Sequence, residues 1–452
     1  MKVIEYDAKR IHQLTQLKTD IRGSESHLIV GIDVAKDTHY SFFGTANGKV
    51  IFKKFVFQNN AEGFGNFIAK AETLRKKHGF KRLVFGMEAT ATYHKPLGEF
   101  LIREGYETVL VSNIAVKRNR ELLDGRWDKN DLKDASNVTD LISQGKCLFY
   151  DFPAPDILAL REMISLRKKL KKQEHSLKMR IRNHWVAQYF PELDAYFEAI
   201  EEECLSMIKH QLGPEKISKM ECHDFITATT TRHKSQKQQS KLIEVWRKAE
   251  DSIGCKPNPA TYFEGEVLVD LLEQTRFQKD NTEKKIKAIC ESIPEYRVLL
   301  SIPGIGPNIS AILLAAIGDP HRFQNNRQVL KLVGLDLSAS RSGKYSQNAV
   351  GSISKKGKVD ARYALYQAAM IASSRTPVFR AYFNEKIRDR QHEKGIKTKI
   401  RVKLSAKILV IAWTLMKKKE LFNPDIIYSE LETPRKEKDL KQNADSPNCN
   451  KG

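Results

Sequence analysis

The 452-residue chain is poor in cysteine: six residues, Cys147, Cys204, Cys222, Cys255, Cys290 and Cys449, with no C-x-x-C pair. That spacing argues against a disulfide framework and a zinc site, and fits reduced thiols in a cytoplasmic protein. Long apolar runs are missing too. The longest, residues 408–416, stops at Lys417, Lys418 and Lys419, short of the roughly 20 residues that a membrane span needs. The opening MKVIEYDAKR has no apolar signal core. Acid is in deficit: 55 Asp and Glu face 77 Lys and Arg, a net charge of +22. Such an excess suits a polyanionic partner, because each phosphate neutralised releases counterions; a merely soluble basic protein is the bland alternative. A hydrophobic content of 41% excludes wholesale disorder, and the length suggests roughly two to four domains.

Texture changes along the chain divide it. Residues 1–26 read as a charged, partly helical lead-in. From Ser26, HLIVGIDVAKD is an apolar run ending in an acid, followed by two strands around the turn Asn47-Gly48. Helical spacing over 60–78, the strand KRLVFGMEAT, a helix near 95–104 and the strand YETVLVSN complete a mixed α/β sheet within 27–150. Residues 151–292 predict a helical, coiled-coil middle on a basic background. Within it, the Thr/Lys/Gln-rich stretch 213–260 reads equally as linker, arm or inserted substructure. Residues 293–422 form a third, helical region, and 423–452 a polar, disordered tail.

Two strands deliver carboxylates at their C-terminal ends, where α/β sheets place their chemistry: Asp33 after LIVGI and Glu88 after LVFGM. A third element, KNDLKDA, carries Asp131 and Asp134, whose spacing puts them on one face of a helix. Carboxylates crowded together repel. A divalent cation removes the conflict, and Mg²⁺ is the natural choice for oxygen ligands; two such ions, roughly 4 Å apart, clamp the attacking and leaving oxygens of a phosphodiester. Asp124, Asp128 and Asp140 are read instead as balancing Arg118, Arg120, Arg126 and Lys129, and Asp37 as starting a turn.

The last third holds two further signals. In SIPGIGPNISAILLAAIGD, residues 301–319, Gly304 and Gly306 allow a tight turn between helices, and the amides opening the second helix can bind phosphate. That is a helix-hairpin-helix pattern; the plain alternative is a turn within a helical domain. Next, GLDLSASRSGKYSQNAVGSISKKGK sets Ser338, Ser340 and Ser342 among Arg341, Lys344, Lys355 and Lys356. A serine hydroxyl can attack phosphorus when cations stabilise the developing charge, although composition alone favours a solvated loop. Nothing within the loop identifies a base.

Taken in order, Asp33, Glu88, KNDLKDA, a helical spacer, IPGIGP and the serine loop resemble the DEDD-type insertion-sequence transposases over roughly residues 28–420. That family includes the Piv-like invertases and the bridge-RNA-guided recombinases. The resemblance implies a RuvC-like, RNase-H-type N-terminal domain, a coiled-coil middle and a C-terminal transposase domain with a serine nucleophile. Asp33, Glu88, Asp131 and Asp134 match its acids. Ser342, before Gly343, matches the serine of its S-S-G-like motif. This chain departs from the pattern with Arg341 where a second serine is common and Leu337 where a proline is common, which keeps Ser340 and Ser338 as candidates. The resemblance further implies Mg²⁺, covalent phosphoserine strand exchange on DNA, a structured noncoding guide RNA, and a homodimer or homotetramer. Its rivals are a site-specific invertase, a RuvC-like junction nuclease using water in place of serine, and a non-catalytic nucleic-acid binder.

Overall fold

The computed structural model describes residues 5–89, 91–124, 131–230, 235–338 and 352–428. They form two compact units: one of residues 1–155, 317–357 and 409–418, the other of 156–316, 358–408 and 419–452.

The first unit is built on a six-stranded sheet. Helix α1 (Glu5–Asp20) leads into strands β1 (His27–Asp33), β2 (Thr38–Thr45) and β3 (Val50–Gln58), then α2 (Ala61–Lys77), β4 (Arg82–Glu88), α3 (His94–Arg103), β5 (Glu107–Val111), α4 (Asn113–Asp124), α5 (Asp131–Ser143) and β6 (Leu148–Phe149). The strand order is β3-β2-β1-β4-β5-β6. β1 to β3 run antiparallel as consecutive hairpins, while β1, β4 and β5 are parallel. This is the expected mixed sheet, in RNase-H-like order. α2 starts where Asn60 Oδ1 accepts from Gly63 N at 2.8 Å, an N-cap that satisfies an otherwise orphaned amide.

Alternation along the strands sorts side chains onto two faces. Leu28, Val30, Ile32, Phe85 and Met87 pack with Phe64 and Phe67 of α2 and Leu97 and Leu101 of α3. Ile29, Val84 and Val109 face the other way, against Leu17 and Ile21 of α1 and Val138, Leu141 and Ile142 of α5. The opening segment is therefore part of the sheet's packing, with α1 offering a buried stripe at helical spacing.

The second unit contains α6 (Pro155–Arg180), a π-helical turn at Ile181–Val186 and the 33-residue helix Pro259–Glu291. The long helices run antiparallel: Glu174 accepts from Arg276 Nε (3.2 Å) and Lys279 Nζ (2.9 Å), while Arg180 reaches Glu264 at 2.9 Å. Within 213–260, open above between linker, arm and substructure, the described residues belong to a packed substructure. Ile217, Phe225, Leu242 and Val245 are buried with Trp185, Phe197 and Leu268, while Thr227 of the helix Cys222–Thr229 and Gln236, Lys237, Gln239 and Ser240 of the helix Gln236–Glu250 are exposed. Among the described residues, no helix is long and apolar enough to cross a membrane.

Candidate active site

The parallel register pairs Ile32 with Met87. The next residues, Asp33 and Glu88, therefore end neighbouring strands at one level, with backbones about 4.8 Å apart. Both alternate onto the face opposite Ile32 and Met87, which is the face covered by α5. Both are half-buried.

Two glycines bring α5 to that face. A Cβ on Gly31 would collide with the carbonyl oxygen of Ala135 and with Thr139, and one on Gly86 would meet the end of Ile142. Each glycine stands two residues before an acid, on the same side of the sheet. The pattern glycine-x-acid, in Gly31-Ile32-Asp33 and again in Gly86-Met87-Glu88, thus combines a bare backbone that admits the helix with a carboxylate at its edge. It was visible in the sequence, but only helix contact gives it meaning.

Asp134 precedes Ala135, so the same close approach carries it to the strand that bears Asp33. It is 5% exposed, and its Oδ1 lies 2.5 Å from Arg120 Nη2 of α4. Sequence reasoning grouped Arg120 only among cations balancing other acids. Beside this pair α4 is tied to α5 by buried amides: Asn119 Nδ2 donates to Asn137 Oδ1 and to Asp140 Oδ2, and Asn137 Nδ2 donates to the Val116 carbonyl. Asp140 also accepts from Gln144, so it is structural, held by neutral amides and not by the cations it was read as balancing. Asp37 sits in the bend between β1 and β2. Asp131 opens α5, one turn before Ala135, and its side chain lies outside the described residues, as do those of Asp124 and Asp128.

This donor set is all carboxylate oxygen, the chemistry that Mg²⁺ favours, and Asp134 Oδ1 is buried with the Arg120 guanidinium as its charge partner. In those respects the residues fit a divalent ion. Among the described residues, no group of three His, Cys, Asp or Glu side chains stands ready to hold a metal.

The serine loop is flanked, within the first unit, by a two-stranded ladder of β7 (Leu337–Ser338) and β8 (Ser352–Ile353), where Ser338 pairs with Ser352. Ser340, Arg341, Ser342 and Lys344 lie outside the described residues; of Ser338 only the backbone is described. Lys355 and Lys356 follow β8 and are exposed, Lys355 with a left-handed φ of 54°.

In the second unit the helices Pro294–Leu300 and Pro307–Ile317 flank the turn of the IPGIGP motif. Gly304 has φ 92°, and a Cβ there would press on Ala368 and Ala372 of the helix Val359–Arg375. Gly306 faces open space, and its carbonyl accepts from Ser310 N to begin the second helix.

An RNase-H-like sheet with carboxylates at the ends of adjacent parallel strands, joined to a helical region carrying a glycine hairpin, defines the class as a DEDD-type transposase. The chain belongs to the IS116/IS110/IS902 transposase family: the DEDD transposase model of the IS110 group matches residues 30–191, and the model described as "Transposase IS116/IS110/IS902 family" matches 296–384. It is similar to the pilin gene-inverting protein of Moraxella bovis, with 23% identity over 403 residues, covering 89% of this chain and 99% of that protein. Similar too are the insertion element IS116 44.8 kDa protein of Streptomyces clavuligerus (22%, covering 87% and 96%) and the insertion element IS110 43.6 kDa protein of Streptomyces coelicolor (22%, covering 81% and 88%).

Proposed function

We propose that this transposase cuts and rejoins DNA at the ends of an insertion element through a transient bond to Ser342, with Asp33, Glu88, Asp131 and Asp134 as the ligands of Mg²⁺. The observation that carries the reading is the level placement of Asp33 and Glu88 on one sheet face under α5. Bound there, Mg²⁺ would polarise the scissile phosphate and offset charge on its oxygens. The Ser342 oxygen attacks phosphorus, the strand's P–O bond breaks, and the departing oxygen leaves as a hydroxyl. Arg341 and Lys344 flank the serine in sequence and supply charge against the developing anion. The phosphoserine keeps the bond energy, so a hydroxyl of another strand can displace the serine without free ends being lost.

Gly304 and Gly306, with Lys355 and Lys356, grip the phosphate backbone. A structured noncoding RNA guides the choice of DNA. The enzyme acts as a homodimer or homotetramer, a reading supported by the exposed apolar row Phe263, Val267 and Leu271 on the helix Pro259–Glu291. A second reading, inversion of a chromosomal segment, draws on the near-complete coverage of the Moraxella bovis gene-inverting protein.

The experiment is adduct trapping on an element-end DNA with Mg²⁺. Wild type should leave a denaturation-resistant protein–DNA complex, and Ser342→Ala should bind DNA without forming one. A complex of undiminished yield with the alanine variant sinks the nucleophile assignment and returns Ser340 and Ser338 to consideration.

A further inference from the structure

We infer that Arg120 is a displaceable counter-ion of the acid site: it holds Asp134 while no cation is bound and releases it when a divalent cation arrives. The inference rests on the reading of the carboxylates as metal ligands. A carboxylate as buried as Asp134 needs a partner, since breaking a buried ion pair by removing one member strands a charge in low dielectric. Arg120 is that partner among the described residues, with Nη2 at 2.5 Å from Oδ1.

The contact is one of charge more than of fit. A guanidinium grips a carboxylate best as a fork, with two parallel hydrogen bonds. Here one nitrogen approaches one oxygen, Arg120 Nε is buried with no hydrogen bond, and Asp134 Oδ1 accepts none. The neighbouring amides are better satisfied. Asn119, Asn137 and Asp140 fasten α4 to α5 through hydrogen bonds of 2.5 to 2.8 Å, so the Arg120 side chain can swing away without undocking either helix.

A doubly charged ion with several oxygen ligands outcompetes a single misaligned guanidinium for Asp134. While Arg120 is seated, the fraction of molecules competent to bind metal is reduced, and apparent affinity falls by the same factor. Once displaced, the guanidinium is permanently charged and presents five donors, suited to a backbone phosphate. Cation binding and phosphate binding would thus be coupled through one side chain.

The test uses the full chain without nucleic acid and Mn²⁺ as the probe, reading affinity by calorimetry and stability by thermal melting. Arg120→Gln should bind Mn²⁺ about tenfold tighter, as for a latch closed nine-tenths of the time. It should melt below wild type in the absence of metal, and gain more from Mn²⁺ than wild type does. Arg120→Met, which keeps the apolar stem, gives the same comparison if the glutamine variant folds poorly. In the Asp134→Asn background the substitution should change nothing. Wild-type affinity in both Arg120 variants, with binding still lost in Asp33→Asn, overturns the latch alone. No Mn²⁺ binding by wild type or by any Arg120 variant overturns the metal reading and the latch with it.

Discussion

The carbonyl oxygen of Ala135 fills the space that a side chain on Gly31 would need, and Thr139 closes it from the next turn. The helix bearing Asp131 and Asp134 therefore rests directly on the backbone of the strand bearing Asp33. Access for the helix and the placing of the acids are one arrangement, and a methyl group is enough to disturb it.

Gly31→Ala should cost several kcal/mol, within the roughly 1–3 kcal/mol or more typical of overpacking, because the obstacle is helix backbone that can yield only by moving α5. Gly86→Ala should cost less, since there the neighbour is the end of the Ile142 side chain. Urea midpoints of the two variants check the order. Equal losses would mean that α5 is not seated on β1 as described.

Asp7 gives a pH dependence of opposite sign to the usual carboxylate. Burial, and next the charge of Asp151, push its carboxyl up to about 6 from an ordinary value of 3.8. The folded state then binds a proton more tightly than the unfolded one, so stability falls as pH rises from about 4 to about 6 and stays lower above that. Asp7→Asn should gain about 1–3 kcal/mol at pH 8, allowing for its loss of the Arg10 contact, and nothing at pH 4. Melting curves at the two pH values decide it.

Glu174 behaves the other way. Burial raises its carboxyl, yet hydrogen bonds and charge from Lys279 and Arg276 outweigh burial and hold it below the ordinary value. Its contribution is present above the unfolded pKa and disappears as pH drops through the folded one. Glu174→Gln should lose about 1 kcal/mol at pH 7 and progressively less in acid, measured as denaturant midpoints against pH.

Gly304 and Gly306 should separate stability from binding. Gly304→Ala is strained at φ 92° and presses on Ala368 and Ala372, so it should destabilise the helical unit. Gly306→Ala meets open space and should melt like wild type. If the hairpin grips phosphate, Gly306→Ala will still weaken DNA binding, read by anisotropy titration at fixed salt, because a methyl group obstructs approach to the amides. Unchanged affinity would make the motif a turn and nothing more.

Much of the architecture was legible. Apolar runs ending in acids are β1 and β4, Asn47-Gly48 is the turn between β2 and β3, and IPGIGP is the hairpin between two helices. These signals are local, written in period and turn chemistry. Harder to read were the packing of α1, the burial of Phe225, Leu242 and Val245 within a polar stretch, and the pairing of Arg120 with Asp134. Each depends on contact between distant residues, for which composition within a window carries no signal.

From its residues alone the chain determined that two buried strands end in carboxylates and that a helix begins with two more, since strand period and helix spacing are properties of neighbours. Only the tertiary structure decided that β1 and β4 pair in parallel, level at Asp33 and Glu88, and that α5 lies on that face and not the other. Register and choice of face are settled by which surfaces bury together. For this chain the deciding contact is one helix against two glycines, its backbone on Gly31 and its Ile142 side chain on Gly86.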